Sequence, residues 1–313
     1  MKTPPYLLHF DLPCELVSAQ LPQKLNYRLA TATNVRQYNF GEANLSIQHL
    51  NLHPFYVELF ELDTPAPFAF RLELTSHQHF LFFMLEGQVR FTTCEGFYIS
   101  QASKGQMAAC HKPAGHYRVS LPAGRHGVCC VAVDAEWLNY ATEKLPAFRR
   151  YFQENQAHSF LPYIRIDPFL QHRLQQILAL KRNGHGRLDG FLRLKFADIL
   201  EYYTPIADEK QNGPAYKIKA YLSENFTDHQ ISYTHLAALF DEEERAIRYH
   251  FYKEFGISVH RFLMHKRLQR AYRLIMHEGQ PMRDVYLLVG YQNESSLRRA
   301  YQKFFSTGGK SDT

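Results

Sequence analysis

Features that mark secreted, membrane-spanning and metal-clustering proteins are scarce in this chain of 313 residues. Its five cysteines are odd in number, none forms a CxxC spacing, and none lies in the last third. This usage disfavours a disulfide framework and a zinc module. No apolar run approaches the ~18 residues of a membrane span, and proline and charged residues interrupt the apolar N-terminal stretch, unlike in a signal peptide. We therefore expect a cytoplasmic protein without a membrane partner.

Tryptophan is also scarce, yet the other aromatic residues are plentiful. One Trp accompanies 20 Tyr and 24 Phe, and hydrophobic residues make up 45% of the chain. This composition supports ordinary buried cores and excludes extended disorder. The length suggests about two domains. The formal net charge of +6 is too mild on its own to identify a nucleic-acid partner.

Local patterns of catalysis are missing from the sequence as well. It shows no nucleophile triad, no phosphate-binding loop and no carboxylate pair at a useful spacing. Scattered Ser, His and Asp residues are not evidence of a site. We therefore predict no catalytic residue, no cofactor and no enzymatic activity.

Short apolar or alternating runs fill residues 45–134. Examples are Phe55–Phe60, Phe80–Leu85 and Gly127–Val133, and glycines recur between such runs about every ten residues. Evenly spaced short strands with turn residues between them are typical of a β-sandwich or barrel. We predict an N-terminal arm and a β-barrel sensor domain over residues 1–134.

The apolar period becomes helical over residues 135–207. Two stretches, 169–180 and 188–203, predict a pair of helices whose apolar sides must be buried against another part of the protein or a partner. A second subunit or the chain's own barrel could provide that cover, and both stay open. We therefore predict a helical dimerisation or linker region here. The polar stretch Asp208–Pro214 predicts a boundary, and residues 208–313 form the last predicted domain.

The last hundred residues predict helices throughout, and two segments among them resemble each other: Leu236–Phe251 and Val285–Tyr301. Each combines a short apolar helix, a tight turn and a longer amphipathic helix. This arrangement predicts two helix-turn-helix units, at about 233–255 and 282–305. A predicted helix from Ser258 to His277 connects them and could hold both recognition helices about one DNA turn (~34 Å) apart.

The solvent faces of the two longer helices carry the residues that we predict to contact DNA. Arginine offers a bidentate fork to guanine, and Ser and Gln suit bases or phosphates. From Pro214 to Thr313, 15 Lys and Arg stand against 11 Asp and Glu, so most of the net positive charge lies here. The predicted DNA contacts are Arg245, Arg248, Tyr249, Tyr252, Ser295, Arg298, Arg299 and Gln302.

The segment Pro214–Ser306 resembles the DNA-binding domain of the AraC/XylS family of bacterial transcription regulators. A lone helix-turn-helix would be a weak signal, but two units with this connector make the spacing specific. The resemblance implies binding to double-stranded promoter DNA, with RNA polymerase as a further candidate partner. The matching residues are Leu236, Ala237, Phe251, Lys253, Phe255, Gly256, Ser258, Arg267, Leu268, Ala271, Asp284, Val285, Gly290, Tyr291, Ser295, Leu297, Arg299, Tyr301 and Lys303.

Two positions of the first unit depart from the family pattern. Asp241 stands where members usually have a small residue, often Gly, in the turn, and Glu243 stands where a Ser usually caps the helix. Acids suit a helix N-terminus but repel DNA phosphates. An adaptor that has lost DNA binding is therefore kept as an alternative, and whether the first unit contacts DNA stays open.

The N-terminal part resembles a cupin, which is a small jelly roll. The residues that carry this resemblance are His77, His79, Gly87, Gly105 and Pro113–His116. In AraC-family proteins that resemble the whole chain, such a cupin binds an effector. An unknown small molecule is therefore expected to bind at His77, His79, Phe82 and His116. A metal-dependent cupin enzyme is an alternative, but the expected Glu ligand after His79 is missing, so we predict no metal.

The composition of the predicted barrel favours an apolar or aromatic ligand, although its Phe and Tyr residues are more often plain core. The whole chain is predicted to be a multidomain α and β protein: a cupin-like β-barrel (jelly roll) with a helical pair, then an all-α AraC-type double helix-turn-helix. The predicted function is a sequence-specific, DNA-binding transcription regulator that is modulated by an effector and forms a homodimer. Activation versus repression stays open.

Overall fold

The computed structural model describes residues 4–18, 25–145, 161–181 and 185–306. They fold into two compact units. The first, called the β unit below, takes in the chain up to Phe91 and the stretch Gln101–Glu209. The second, called the helical unit, combines Thr92–Ser100 with the chain from Lys210 onward. An N-terminal β domain followed by a C-terminal helical region confirms the predicted fold class.

Antiparallel strands, arranged in two sheets, make up the N-terminal part of the described chain. They are β1 (Tyr6–Phe10), β2 (Glu15–Ser18), β3 (Asn34–Phe40), β4 (Ala43–Leu52), β5 (Phe55–Thr64), β6 (Phe68–Leu74), β7 (Gln78–Glu86), β8 (Gln88–Thr93), β9 (Tyr98–Ser103), β10 (Gln106–Lys112), β11 (Gly115–Leu121), β12 (Gly124–Val133) and β13 (Ile164–Arg165). The five-stranded sheet has the order β1-β6-β11-β8-β9. The eight-stranded sheet has the order β13-β10-β7-β12-β5-β4-β3-β2.

One face of each sheet contributes to a shared apolar core. Alternating side chains of a strand point to opposite faces of its sheet, and in β7 this places Phe82 and Met84 with Phe68 of β6 and Val119 of β11. Phenylalanines and tyrosines fill much of the same core. Its partly buried aromatic members are Phe10, Tyr38, Phe40, Phe60, Phe70 and Phe91. Much of the aromatic excess of the sequence is therefore sandwich core.

Helices cover the other face of the eight-stranded sheet. They are α1 (Ala135–Ala141), α2 (Pro168–Leu178) and α3 (His185–Gln211). Leu81 and Phe83, which alternate with the inward residues of β7, share a buried cluster with Leu174 of α2 and Phe196 of α3. Asp167 caps α2 by accepting the Leu170 N–H at 3.0 Å. The apolar sides of the two predicted helices are thus covered by their own β unit.

The helical unit contains α4 (Pro214–Glu224), α5 (Tyr233–Phe240), α6 (Glu244–Phe255), α7 (Val259–Met276), α8 (Met282–Leu288) and α9 (Glu294–Ser306). The stretch Asp208–Pro214, predicted as a polar boundary, is helical as far as Gln211. Glu, Lys and Gln favour helix, and Pro214 is tolerated in the first turn of α4 because its missing N–H would have no partner there. No helix of the described residues is long and apolar enough to cross a bilayer.

Candidate nucleic-acid interface

The first helix-turn-helix unit consists of α5 and α6. Leu236 of α5 packs with Ile247, Phe251 and Phe255 of α6 in one buried cluster. These three α6 residues recur at intervals of four, so they occupy a single side of the helix. Ser232 caps α5, because its Oγ accepts the His235 N–H at 3.1 Å. The inner side of α6 is therefore fixed by packing, and its other side is left for solvent.

The turn of this unit accommodates the acids that depart from the family pattern. Asp241 has φ +52° and ψ +48°, a left-handed conformation that Asp adopts more readily than most non-glycine residues. Glu243 occupies the N-cap position of α6 without a side-chain capping bond. Glu244 accepts a hydrogen bond from Thr234 at 2.7 Å and one from Arg248 at 3.1 Å. Both bonds lower the pKa of Glu244, and the bond from Thr234 has the larger effect.

The outer side of α6 presents all four predicted DNA contacts to solvent. Arg245 and Arg248 are exposed, and Tyr249 and Tyr252 are about 60% exposed, far more than large aromatic side chains usually are. The Arg248 guanidinium lies over the Tyr233 ring at 3.7 Å from its centroid. Sequence reasoning left Lys253 out of this set, although it is exposed four residues after Tyr249 with its Nζ 5.5 Å from that ring.

The second helix-turn-helix unit consists of α8 and α9. Val285 of α8 shares a buried cluster with Leu297 and Phe304 of α9. Asn293 precedes α9, and its Oδ1 accepts the Ser296 N–H at 2.8 Å. Gly290 lies in the turn with φ +80°, and a Cβ there would come within 2.7 Å of two backbone oxygens, those of Phe226 and Thr227. This turn therefore requires glycine both for its backbone angle and for space.

The outer side of α9 carries the other four predicted DNA contacts. Ser295, Arg298, Arg299 and Gln302 are all exposed. Arg298 forms an ion pair with Glu294, one turn earlier. The exposed Lys303 was not among the predicted contacts. Its position next to Gln302 on an amphipathic helix is the signal that could have added it.

Helix α7 connects the two units and is tied to the loop that precedes α5. Arg267 of α7 donates from Nε to the Phe226 carbonyl at 2.8 Å and from Nη2 to the Asp228 carbonyl at 2.7 Å. Its guanidinium lies 5.8 Å from the centre of the Tyr291 ring. Because Gly290 packs against the same loop, Arg267 links the first unit, the connector and the turn of the second unit.

Comparison with known families identifies the domain that the helices α5 to α9 form. The family of helix-turn-helix domains matches residues 236–307, from within α5 through α9. The C-terminal region is a helix-turn-helix domain of the AraC type. This confirms the predicted family resemblance of the region, and DNA binding and transcription regulation are the functions of such domains. No curated protein sequence matches the chain at a significant level.

Solved structures that are similar to the chain include three with low identity. ToxT from Vibrio cholerae is 8% identical, and the match covers 80% of this chain and 94% of that one at a TM-score of 0.34. The C-terminal domain of AraT, a response regulator from Geobacillus stearothermophilus, is 18% identical (30% and 78% covered, TM-score 0.30). The DNA-binding domain of AdpA, solved with a target DNA, is 21% identical (29% and 82% covered, TM-score 0.28). The assignment of the helix-turn-helix domain rests on the family match.

The four residues predicted to bind an effector do not converge in the β unit. His77, just before β7, and His79, near its start, meet His111 of β10. His77 Nδ1 lies 3.2 Å from His111 Nε2, and the His79 and His111 ring centres are 4.7 Å apart. Phe82 is buried in the sandwich core, and His116 is exposed on β11 of the other sheet. His79 and Phe82 lie on opposite faces of β7 because side chains alternate along a strand.

His79 and His111 are partly buried, and His77 is exposed. Burial is the main cause that lowers the pKa of His79 to about 4, and the neighbouring His111 and His77 lower it further. Asp134 has a smaller, opposite effect. Burial, followed by His77 and Lys112, also lowers the pKa of His111. Within the described ranges, no three or more His, Cys, Asp or Glu side chains are arranged to hold a metal ion.

A cavity of about 690 Å³ lies elsewhere in the β unit. Strand pairing sets Gln37, Ser46 and Glu61 side by side across β3, β4 and β5, and all three line the cavity. Glu61 also accepts the backbone N–H groups of Asn26 and Tyr27, at 3.0 and 2.8 Å. The further lining residues are Leu25, Asn26, Tyr27, Tyr38, Asn39, Asn44, Leu45, Leu62, Asp63, Glu86, Arg125, His126 and Gly127. Most of these residues are polar or charged, but apolar atoms form the larger part of the cavity surface, and Tyr27 and Tyr38 are its aromatic members.

Proposed function

We propose that the chain is a transcription regulator whose helix-turn-helix domain binds promoter DNA sequence-specifically through the outer sides of α6 and α9. One observation carries the proposal: all eight predicted DNA contacts are exposed, on two helices whose opposite sides form the cores of matching units. A helix with a packed inner side and an arginine-rich outer side suits the major groove.

The outer arginines divide into two kinds. Arg248 and Arg298 each pair with a glutamate one turn earlier, which orients them but competes with DNA phosphates and bases. Arg245 and Arg299 form no ion pair with any residue that the structure describes. A guanidinium without a carboxylate partner keeps its whole fork for a guanine edge. Arg299 is therefore our first candidate for base reading in the second unit.

A gel-shift assay with the DNA that flanks the chain's own gene tests this proposal. We expect specific binding that weakens steeply with added salt. Arg299→Ala should cost about 1–3 kcal/mol and relax the preference for one base pair if Arg299 forks to a guanine. Arg187→Ala is the matched control, since it removes an equally exposed arginine from the β unit. Absence of salt-sensitive binding to any flanking fragment at low ionic strength would instead favour the adaptor alternative.

We further propose that a small-molecule effector of the β unit modulates DNA binding. The 690 Å³ cavity supports this proposal, because it falls within the usual size of ligand sites. Its amides, carboxylates and hydroxyl groups, set among apolar surface, suit a ligand that combines apolar parts with several hydrogen-bonding groups. A thermal-shift screen of small polar and aromatic molecules tests it, since a ligand of the native state raises the melting temperature. A hit should lose its effect in Ser46→Leu, and retention of the effect would place the ligand elsewhere.

A homodimer that aligns two domains on two half-sites also remains a proposal. The apolar sides of α2 and α3 pack against the sheet, so a dimer through these helices must use their outer sides. Leu194 of α3 is 57% exposed there. Sedimentation analysis of the protein and of Leu194→Glu would test this contact. A dimer that is unaffected by the charge at this position would exclude this side of α3.

A further inference from the structure

The helical unit includes a short segment from early in the chain, Thr92–Ser100. It contains the turn between β8 and β9. The Thr93 N–H donates to the Phe97 carbonyl and the Gly96 N–H donates to the Thr93 carbonyl, each at 2.9 Å. Gly96 has φ +93°, a backbone angle that glycine adopts without strain. This tight turn presents two consecutive aromatic residues, Phe97 and Tyr98, to the helices.

Phe97 is part of the core beneath α9. It is 2% exposed and shares a buried cluster with Val289 and Leu297. Its ring stacks on that of Phe304, with centroids 5.0 Å apart and planes 10° apart. A second α9 residue, Phe305, meets it edge-on at 6.1 Å. Phe97 therefore contacts the inner side of the helix whose outer side carries Arg299.

Phe97 and its neighbour also contact the connector. The Phe97 ring meets Tyr272 of α7 edge-on at 5.9 Å. The backbone N–H of Tyr98 donates to His265 Nδ1 of α7 at 3.2 Å, and the His265 ring packs against Phe304. The Tyr98 hydroxyl donates to the carbonyl of Phe255, the last residue of α6. The segment thus touches the connector and both recognition helices.

We propose that Phe97 is a positioning residue for DNA recognition: it fixes the orientation of α9 relative to α7. This inference rests on the proposed DNA-binding function. A helix of 13 residues is marginal in isolation, so packing of its inner side decides how its outer side is presented. Removing the Phe97 ring would leave a cavity against Phe304 and Phe305, which the surroundings fill only in part. The second unit would then tilt or fray, while the first unit keeps its own core around Phe251.

Footprinting with the full-length chain and Phe97→Ala tests the proposal. We expect the variant to bind about tenfold more weakly, and to lose protection over the half of the site that α9 contacts while keeping the half that α6 contacts. Phe97→Leu retains most of the apolar volume and should stay within about threefold of the original affinity. Glu95→Ala is the matched control, because Glu95 is exposed in the same turn. Unchanged binding, a uniform loss over both halves, or stronger binding by Phe97→Ala would overturn the proposal.

Amide hydrogen exchange provides a readout that needs no DNA. In Phe97→Ala, exchange should accelerate in α9 and stay unchanged in α6. If the unaltered chain binds no DNA, the proposed function fails, and the exchange of α9 still decides whether Phe97 positions this helix. If Phe97→Ala unfolds, the partial truncation Phe97→Val takes its place, and exchange should again accelerate in α9 and not in α6. Equal exchange of α9 in the variant and the original chain would contradict the positioning role.

Discussion

Gly290 illustrates how much one backbone position constrains the helix-turn-helix domain. Its positive φ admits few other residues, and the carbonyl groups of Phe226 and Thr227 occupy the place where a Cβ would be. The same loop receives two hydrogen bonds from Arg267. A side chain at Gly290 would push on the loop that holds the first unit to the connector. The residue is therefore a contact point between the two units as well as a turn.

Gly290→Ala should lower the free energy of unfolding by about 2–3 kcal/mol, because the clash adds to the backbone strain. Gly279→Ala is the matched control. Gly279 also has a positive φ, +68°, but its added Cβ would meet no atom within 4 Å, so only the strain of about 1 kcal/mol applies. Denaturant titration of both variants measures the difference. Equal losses would show that the close carbonyls have room to move.

The partly buried His79 predicts acid sensitivity of the β unit. The pKa of folded His79 is about 4 and that of an unfolded His is about 6.5, so the unfolded chain binds more protons between these values. The contribution of neutral His79 to the free energy of unfolding is therefore complete above about pH 6.5. It is lost as the pH falls toward 4, and the loss is at most about 3 kcal/mol. The groups near His79 are His77, His111 and Asp134.

Melting temperatures at pH 7.5 and pH 5 test the role of His79. We expect His79→Gln to lose less stability on acidification than the original chain does, since it removes one proton-binding group from the unfolded state. His116→Gln serves as the control, because His116 is exposed on β11. An equal pH dependence in His79→Gln would assign the acid sensitivity to other groups.

At the scale of elements, α6 and α9 could be predicted from the sequence, because their apolar residues recur with the helical period and are the residues that pack in the core. Ile247, Phe251 and Phe255 mark one side of α6 at helical spacing, and the structure buries all three. The exposed side follows from the same period. The Thr92–Ser100 turn could not be predicted in this way, because no local pattern indicates that Phe97 meets Phe304. Contacts between residues so far apart in the chain depend on the tertiary fold.

Two other features could not be specified by local sequence pattern, for physical reasons. The stretch Asp208–Gln211 continues α3 because charged helix formers tolerate an exposed helix as well as a loop. The composition predicts an aromatic pocket, but pattern alone does not separate pocket residues from the many Phe and Tyr residues that pack in the sandwich core. The polar row of Gln37, Ser46 and Glu61 comes from three strands, so only the strand register brings it together.

The missing cap of α6 gives a prediction for the first unit. Glu243→Ser should stabilise the domain by about 0.5–1 kcal/mol, because serine can accept a hydrogen bond from the first turn. It should also strengthen DNA binding at low salt by removing a negative charge near the phosphates. Glu243→Gln removes the charge without supplying a good cap, so it separates the two effects. Unchanged affinity in both variants would indicate that this helix end lies away from DNA.

At the scale of the whole molecule, no single point in the chain separates the two units. The segment from Pro214 to Thr313 carries most of the net charge of +6. The core of the helical unit nevertheless also contains Phe97, which lies more than one hundred residues earlier in the chain. Its two pieces are joined through the β unit by more than one hundred residues of chain. The unit is therefore discontinuous in sequence.

Cleavage of the chain between α3 and α4 gives a prediction about this discontinuity. A protease site inserted at Asn212–Gly213 should yield two fragments that still elute together in gel filtration, because Phe97 and Tyr98 stay packed on the helices. The same cleavage in Phe97→Ala should release the C-terminal fragment at micromolar concentrations. Immediate separation of the original fragments would show that the 92–100 contacts are too weak to hold without the covalent link.

The turn at Phe97 also bears on how such a gene can be recombined. Regulators are readily imagined as a sensor and a DNA-binding domain that evolution or an engineer can exchange at one junction. If the last hundred residues of this chain were fused to a different N-terminal domain, Phe304 would lose the Phe97 ring that stacks on it. A working chimera would need a second, distant crossover around the β8–β9 turn, or a compensating residue on α9. Inheritance of the helical unit is therefore tied to a few codons that lie between the two parts of the β unit.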